Sequence, residues 1–363
     1  MTVRTCHQWI AQLGAVSSVI GAMQLDRQTK NADLDTDAFN LANDTAHTGL
    51  IARAVEGLLS THASSLQDVS MLLTDIICRD TYGKFAELAA YDWLMRCQLK
   101  ITTQIKLTPS DILGANDVII DGLVDYCGFY FDIKAFGFHG HLAKRLKERL
   151  ESELPGESIS LEESWDLSID LFSELIRDAR NIAHELKTKR FKKIGPLRIQ
   201  AKAPAPLNVS SRVISPYLLA KENASYPFRS ANQFTRNAPF ILIFVIHPWF
   251  NDGAIFSNFA GNDVAFARAF ARRAFMQFTH DASPLNAVCG EVGPGVMLSD
   301  AAKLLSAIIF INAWPPGHEL ARESMPSAVY LNPRASHPLG YRASLFQAIN
   351  PNILIEDFIN DDY

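Results

Sequence analysis

A chain of 363 residues with 48% hydrophobic and 20% charged residues can bury a large core, and this composition excludes a disordered or fibrous protein. A net charge of −5 gives no global attraction for nucleic acid, so such a partner has to be met by a local basic patch. The five cysteines lack Cys-x-x-Cys spacing, which points to reduced thiols in a cytoplasm, and no apolar run reaches the ~18 residues that span a bilayer.

The opening MTVRTCHQWIAQLGAVSSVIGAMQL reads as a helix rather than a signal peptide, because Gln12 and the paired serines interrupt its apolar centre. Helical spacing of apolar residues recurs in DAFNLANDTAHTGLIARAVEGLLS and SSLQDVSMLLTDIICRD, so residues 1–80 form a helical N-terminal section. TYGKFAELAAYDWLMRC is apolar almost all round, the mark of a buried helix, yet it carries Glu87 on the face of Ala90, Tyr91 and Leu94. The strand-like LKITTQIKL and the turn-prone TPSDILGAND follow. Residues 139–195 are charged and helical, broken at Pro155-Gly156, and form an insertion into a core spanning 81–363. Strand signals return in LRIQAKA and PFILIFVIHPWF, then a helix at NDVAFARAFARRAFMQF, then LSDAAKLLSAIIFIN and AVYLN. The expected class is α/β (α+β), a mixed central sheet flanked by helices.

The informative stretch is VIIDGLVDYCGFYFDIKAF, residues 118–136: two apolar strands that nevertheless hold Asp121, Asp132 and Lys134. A turn centred between Tyr126 and Cys127 sets Asp121 directly opposite Asp132, with Cβ atoms about 4.5–5.5 Å apart. A one-residue change of turn would break this pairing and let Asp117 or Asp125 compete; the register favours Asp121. Two like charges so placed repel and lose hydration, and a hard divalent cation is the natural compensation. Mg²⁺, or Mn²⁺ in its place, held by Asp121 and Asp132 with Glu87 bound directly or through water, suits phosphodiester hydrolysis, where a water must be activated and developing negative charge neutralised. Lys134 would orient or activate that water, and the Ile133 carbonyl can add an oxygen ligand.

With Glu87 on a buried helix, Asp121 on one strand and Asp132-Ile133-Lys134 on the next, residues 81–136 resemble the PD-(D/E)XK nuclease superfamily. No Pro precedes the motif Asp; Asn116-Asp117 is the nearest to its Pro-Asp pair. The resemblance implies a restriction-endonuclease-like fold, with Glu87, Asp121, Asp132 and Lys134 as catalytic residues. It also implies a metal-dependent endonuclease, acting on DNA ahead of RNA in a restriction or defence role, as a homodimer or within a multi-protein system. The alternative is a catalytically idle module of that fold that binds nucleic acid or a protein.

The segment HELKTKRFKKIGPLRIQAK supplies the expected phosphate-contacting patch: Lys187, Lys189, Arg190, Lys192, Lys193, Arg198 and Lys202. Its second half has no acidic partner run nearby in sequence, although charge runs are commonly solvated faces. Arg268, Arg272 and Arg273 can add phosphate contacts. His139 and His141 lack further metal ligands and read as loop or substrate contacts, His247 reads as a structural strand-end histidine, and GEVGPG at 290–295 has no phosphate-loop spacing and reads as a turn.

Overall fold

The computed structural model describes residues 3–23, 25, 45–78, 81–135, 139–162, 174–195, 197–203, 215–246, 262–313, 327–347 and 351–359. Its contacts divide the chain into two units: one of residues 1–135, 215–247 and 257–363, the other of 136–214 and 248–256. The helices of the N-terminal section fall in the same unit as the main sheet.

In the larger unit, helices α1 (Val3–Val16), α2 (Ser18–Gly21), α3 (Thr45–Ser60), α4 (Leu66–Cys78) and α5 (Thr81–Arg96) precede an antiparallel meander of β1 (Ile101–Leu107), β2 (Val118–Val124) and β3 (Phe129–Ala135). In the smaller unit follow α6 (His139–Glu153), β4 (Ser158–Glu162), α7 (Ala179–Lys189), β5 (Phe191–Ile194) and β6 (Leu197–Lys202). The larger unit resumes with α8 (Pro216–Glu222), a 3₁₀ segment (Tyr226–Gln233), β7 (Phe240–Ile246), α9 (Asn262–Met276), α10 (Leu298–Leu304), β8 (Leu305–Asn312), β9 (Ala328–Leu331), α11 (Ser344–Gln347) and β10 (Leu354–Glu356).

The main sheet has seven strands in the order β1-β2-β3-β7-β8-β9-β10. β7 runs parallel to both β3 and β8, while β8 and β9 are antiparallel and β9 and β10 parallel, so the sheet is mixed. FILIFVI forms β7 because a central strand flanked by parallel neighbours and covered on both faces needs a continuous apolar run; all seven residues are buried. Helix α5 packs against β3 and β7. Its residues Phe85 to Leu94 are buried throughout, including Glu87 and Asp92. β1, at the sheet edge, is covered where the Thr103 amide donates to the Ala63 carbonyl at 2.9 Å.

The smaller unit has its own core. Leu146, Leu150 and Leu154 of α6, Ile182 and Leu186 of α7, and Ile159, Leu197 and Ile199 of the strands cluster together. Its sheet, ordered β4-β6-β5, is antiparallel throughout. The insertion is thus not all-helical as the composition implied: Ser158–Glu162 and Phe191–Ile194 are strands, whose Ile159, Leu161 and Ile194 pack into this core. His139 and His141 open α6 rather than sitting in a turn. No helix among the described residues is long and apolar enough to cross a membrane.

Candidate functional site

The β2–β3 ladder pairs Gly122 with Phe131, Leu123 with Tyr130 and Val124 with Phe129, around a turn closed by Gly128 at a positive φ of 63°. Carried one step further, that register sets Asp121 against Asp132, as the turn predicts, although the ladder itself ends at Gly122. Gly122 is required beside them: a Cβ there would strike the Phe131 ring and lie 2.8 Å from the Thr102 carbonyl oxygen.

The Asp132 carboxyl stands near enough to raise the pKa of Asp121, and the Ile133 amide donates to Asp121 Oδ2 at 2.6 Å. Burial, then the charges of Asp132 and Glu87, push the Asp121 carboxyl well above the usual carboxylate range, against the opposing pull of the Ile133 amide. Asp132 is 3% exposed. The Lys134 ammonium forms an ion pair with Asp132 Oδ2 and donates to Gln233 Oε1 at 3.5 Å. Burial alone would lower the Lys134 pKa, but Asp132, then Asp121 and Tyr226, raise it above its ordinary value, so the amine stays cationic. Among these side chains, three carboxylates (Glu87, Asp121, Asp132) face two ammoniums (Lys134, and Lys84, which is paired with Glu87). Burial and this surplus of negative charge together raise the pKa of Asp121.

Glu87 lies one helical turn before Tyr91 on α5. Its charge raises the pKa of both Tyr91 and Asp121, after burial and the charge of the nearer aspartate. Tyr91 donates from its hydroxyl to the Asp121 backbone carbonyl at 3.1 Å. Across from Asp121 on β1 stands Gln104, skipped by the ladder and held at φ 54°, a left-handed conformation that costs a non-glycine residue about 1–2 kcal/mol. A cleft beside this cluster is lined by Lys84, Glu87, Tyr91, Thr103 and Gln104, together with Asp68 and Asp75 of α4.

Other candidates fall elsewhere. Asp117 is half exposed and paired with Lys106 at 2.8 Å, and Asp125 accepts from Thr102 Oγ1 at 2.8 Å on the surface. The carboxylate nearest Asp132 is Asp121, and neither competitor joins it. Asp92, the other buried acid of α5, is neutralised by Arg53 at 3.3 Å and Arg96 at 3.0 Å. Arg268 is taken by Glu356 at 2.7 Å and lies 5.3 Å over the Phe358 ring. His247 lies outside the described residues.

The basic segment belongs to the smaller unit, and five of its seven cations are paired. Arg190 holds Glu157 through two hydrogen bonds of 2.5 and 2.7 Å; Lys192 (2.7 Å) and Lys189 (3.8 Å) meet Glu185. Arg198 and Lys202 both reach Glu162 at 3.8 Å. The expected lack of acidic partners does not hold, because β4 pairs with β6 and sets Glu162 beside Arg198 and Lys202, while Glu157, just before β4, meets Arg190. Lys187 and Lys193 are exposed.

Sequence reasoning missed Tyr91, Gln104, Gln233 and Lys84. Tyr91 and Lys84 had a signal in their helical spacing from Glu87; Gln104 and Gln233 had none, since only the folded register brings them in.

Among the described residues no group of three or more His, Cys, Asp or Glu side chains is arranged to hold a metal ion. What the geometry offers directly is a facing pair of oxygen donors, with a third carboxylate near enough to act on their charge. Comparison of the chain with models of known protein families, with curated proteins and with solved structures finds no match.

Proposed function

We propose that the chain is a metal-dependent endonuclease of the PD-(D/E)XK type, with a restriction-endonuclease-like core, and that it hydrolyses phosphodiester bonds, DNA being the favoured substrate. One observation carries this reading: two carboxylates are opposed on adjacent strands of a largely buried site, with a lysine two residues beyond the second. A core gains nothing from opposed like charges. A hard divalent cation turns the arrangement from a cost into a binding site. The helix–strand–strand order of Glu87, Asp121 and Asp132-Ile133-Lys134 supports the same assignment.

Asp121 and Asp132 would hold Mg²⁺ or Mn²⁺, with the Ile133 carbonyl as a further oxygen donor and Glu87 acting through water, as oxygen-ligand chemistry allows. When bound, the metal supplies Lewis-acid activation of water and neutralisation of phosphoryl charge. With its pKa raised, the Asp121 carboxyl would bind the metal in competition with protons, so metal affinity would rise with pH. Lys134, kept cationic by Asp132, places a positive charge where a phosphoryl oxygen gains negative charge, and Gln233 restrains its swing. The cationic state favours charge stabilisation and water orientation over proton abstraction.

A second reading, an idle module of this fold, is favoured by the internal pairing of Lys84 with Glu87 and Lys134 with Asp132. Incubating supercoiled plasmid, and in parallel single-stranded RNA, with the protein in Mg²⁺, Mn²⁺ or EDTA separates the two. Metal-dependent nicking that Asp132→Ala abolishes supports the nuclease; an intact plasmid and RNA under every condition would leave the binding module. The restriction or defence role implied by the resemblance goes with the nuclease reading.

A further inference from the structure

The surroundings of the Asp121 backbone have a role that the nuclease reading does not use. On one flank of β2 the ladder with β1 is in register from Ile101↔Val124 to Leu107↔Val118 and skips only Gln104, the residue across from Asp121. On the other flank the ladder with β3 stops at Gly122↔Phe131, one residue short of Asp121. Asp121 is therefore the point where both ladders are open, and its carbonyl is taken by the Tyr91 hydroxyl at 3.1 Å. Tyr91 is 1% exposed, and the Gln104 side chain lies near enough to the same phenol to lower its pKa against the effect of burial. Gln104 does this from a left-handed backbone at φ 54° in mid-strand. Such a conformation persists only where the surroundings over-determine it, and a local break in a strand re-aims the neighbouring side chain. Glycine would make the same break without steric cost, but it would bring no amide to the phenol.

We propose that Gln104 and Tyr91 are positioning residues: Gln104 holds the sheet open opposite Asp121, and the Tyr91 phenol fixes the freed carbonyl so that the Asp121 carboxyl points at Asp132. The role rests on the nuclease reading but can fail without it. An uninterrupted ladder would tie the Asp121 backbone into the sheet and leave its side-chain direction to the pleat alone. The phenol instead anchors this residue to α5, the helix that carries Glu87 one turn away, so one contact couples the positions of two carboxylates.

The test measures Mn²⁺ binding by calorimetry, melting in metal-free buffer, and DNA cleavage kinetics for the parent, Tyr91→Phe and Gln104→Gly. Tyr91→Phe should weaken Mn²⁺ binding by about tenfold or more, the usual effect of losing a group that orients a ligand, and lower kcat with KM for DNA unchanged. Gln104→Gly should weaken Mn²⁺ binding in the same direction while melting no lower than the parent, since glycine relieves the backbone strain. Loss of affinity without loss of stability is a result that a purely structural role does not produce. Parent-like Mn²⁺ affinity and kcat in both variants would overturn the proposal and leave the nuclease reading standing. A parent that binds no Mn²⁺ would remove that reading and the proposal together. If Tyr91→Phe does not fold, Gln104→Gly decides alone: weaker Mn²⁺ binding at parental stability supports the proposal, and unchanged binding overturns it.

Discussion

Two pairs of neighbouring strands in this protein carry clustered charge, and they handle it in opposite ways. On and just before β5 and β6 the cations are exposed or half-buried and each paired one meets a glutamate: Arg190 with Glu157, Lys192 with Glu185, Arg198 and Lys202 with Glu162. On β2 and β3 two aspartates are set against each other with one lysine between them and solvent. Exposed ion pairs are screened by water and contribute little, so a fold accumulates them without needing a reason. Opposed carboxylates in a largely buried site cost free energy, and their presence asks for a compensating ligand. The number of charges in a segment therefore says little about function. The sign and burial of their nearest neighbours say much more.

The largest expected separation between the regions is in catalysis. Lys134→Ala should cut metal-dependent DNA cleavage by about 10²–10³-fold, the scale for losing one positioned charge or donor in an active site, while Mn²⁺ and DNA still bind. Lys192→Ala should leave the cleavage rate at saturating DNA unchanged. Equal losses in the two variants would erase the distinction.

A smaller effect is expected on stability against pH. The native carboxyl of Asp121 has a pKa above its unfolded value, so between about pH 4 and that raised pKa the native state binds the extra proton, and stability falls as pH rises through the window. Asn at this position keeps an oxygen for the Ile133 amide and carries no charge. Asp121→Asn should therefore melt above the parent at about pH 8 without metal, and the difference should close as the pH is lowered towards about 4. A constant difference across that range would show that the charge is not what destabilises the hairpin.

The smallest effects belong to the basic segment. Reversing Lys193, which is exposed, should hardly move the melting temperature. If the segment meets phosphate, it should flatten the dependence of log affinity on log salt by about one unit. Reversing Lys192, already held by Glu185, should flatten it less. An unchanged slope in both variants would make this a solvated face and sharpen the contrast with β2 and β3.

Much of the hairpin was legible because strand pairing obeys a simple rule: once the turn is centred between Tyr126 and Cys127, the Asp121–Asp132 pairing follows. β7 was legible for the same kind of reason, since FILIFVI has no polar residue with which to face water. The strands of the smaller unit were not, because SISLE and FKKI are short and carry charge on their outward positions, and their apolar residues find a core only when α6 and α7 supply it. The pairing of the basic segment was hidden by distance along the chain, as the Arg190–Glu157 contact shows. Gln104 was hidden for a deeper reason. ITTQIKL reads as an unbroken strand, and nothing in the residue type announces a positive φ that arises from what lies across the sheet.

The central claim is that the charges on β2 and β3 serve a metal rather than the fold, and melting curves of the parent and Asp132→Ala, with and without Mn²⁺, test it most directly. The account predicts that Mn²⁺ raises the melting temperature of the parent by mass action. Asp132→Ala should melt at or above the parent in metal-free buffer, because Asp121 is then free to ionise beside Lys134, and it should show no shift with Mn²⁺. If instead Asp132→Ala is destabilised by about 3–5 kcal/mol, as expected when a buried lysine is stranded, and Mn²⁺ shifts neither protein, the aspartates and Lys134 are a structural ion cluster and the nuclease assignment is contradicted.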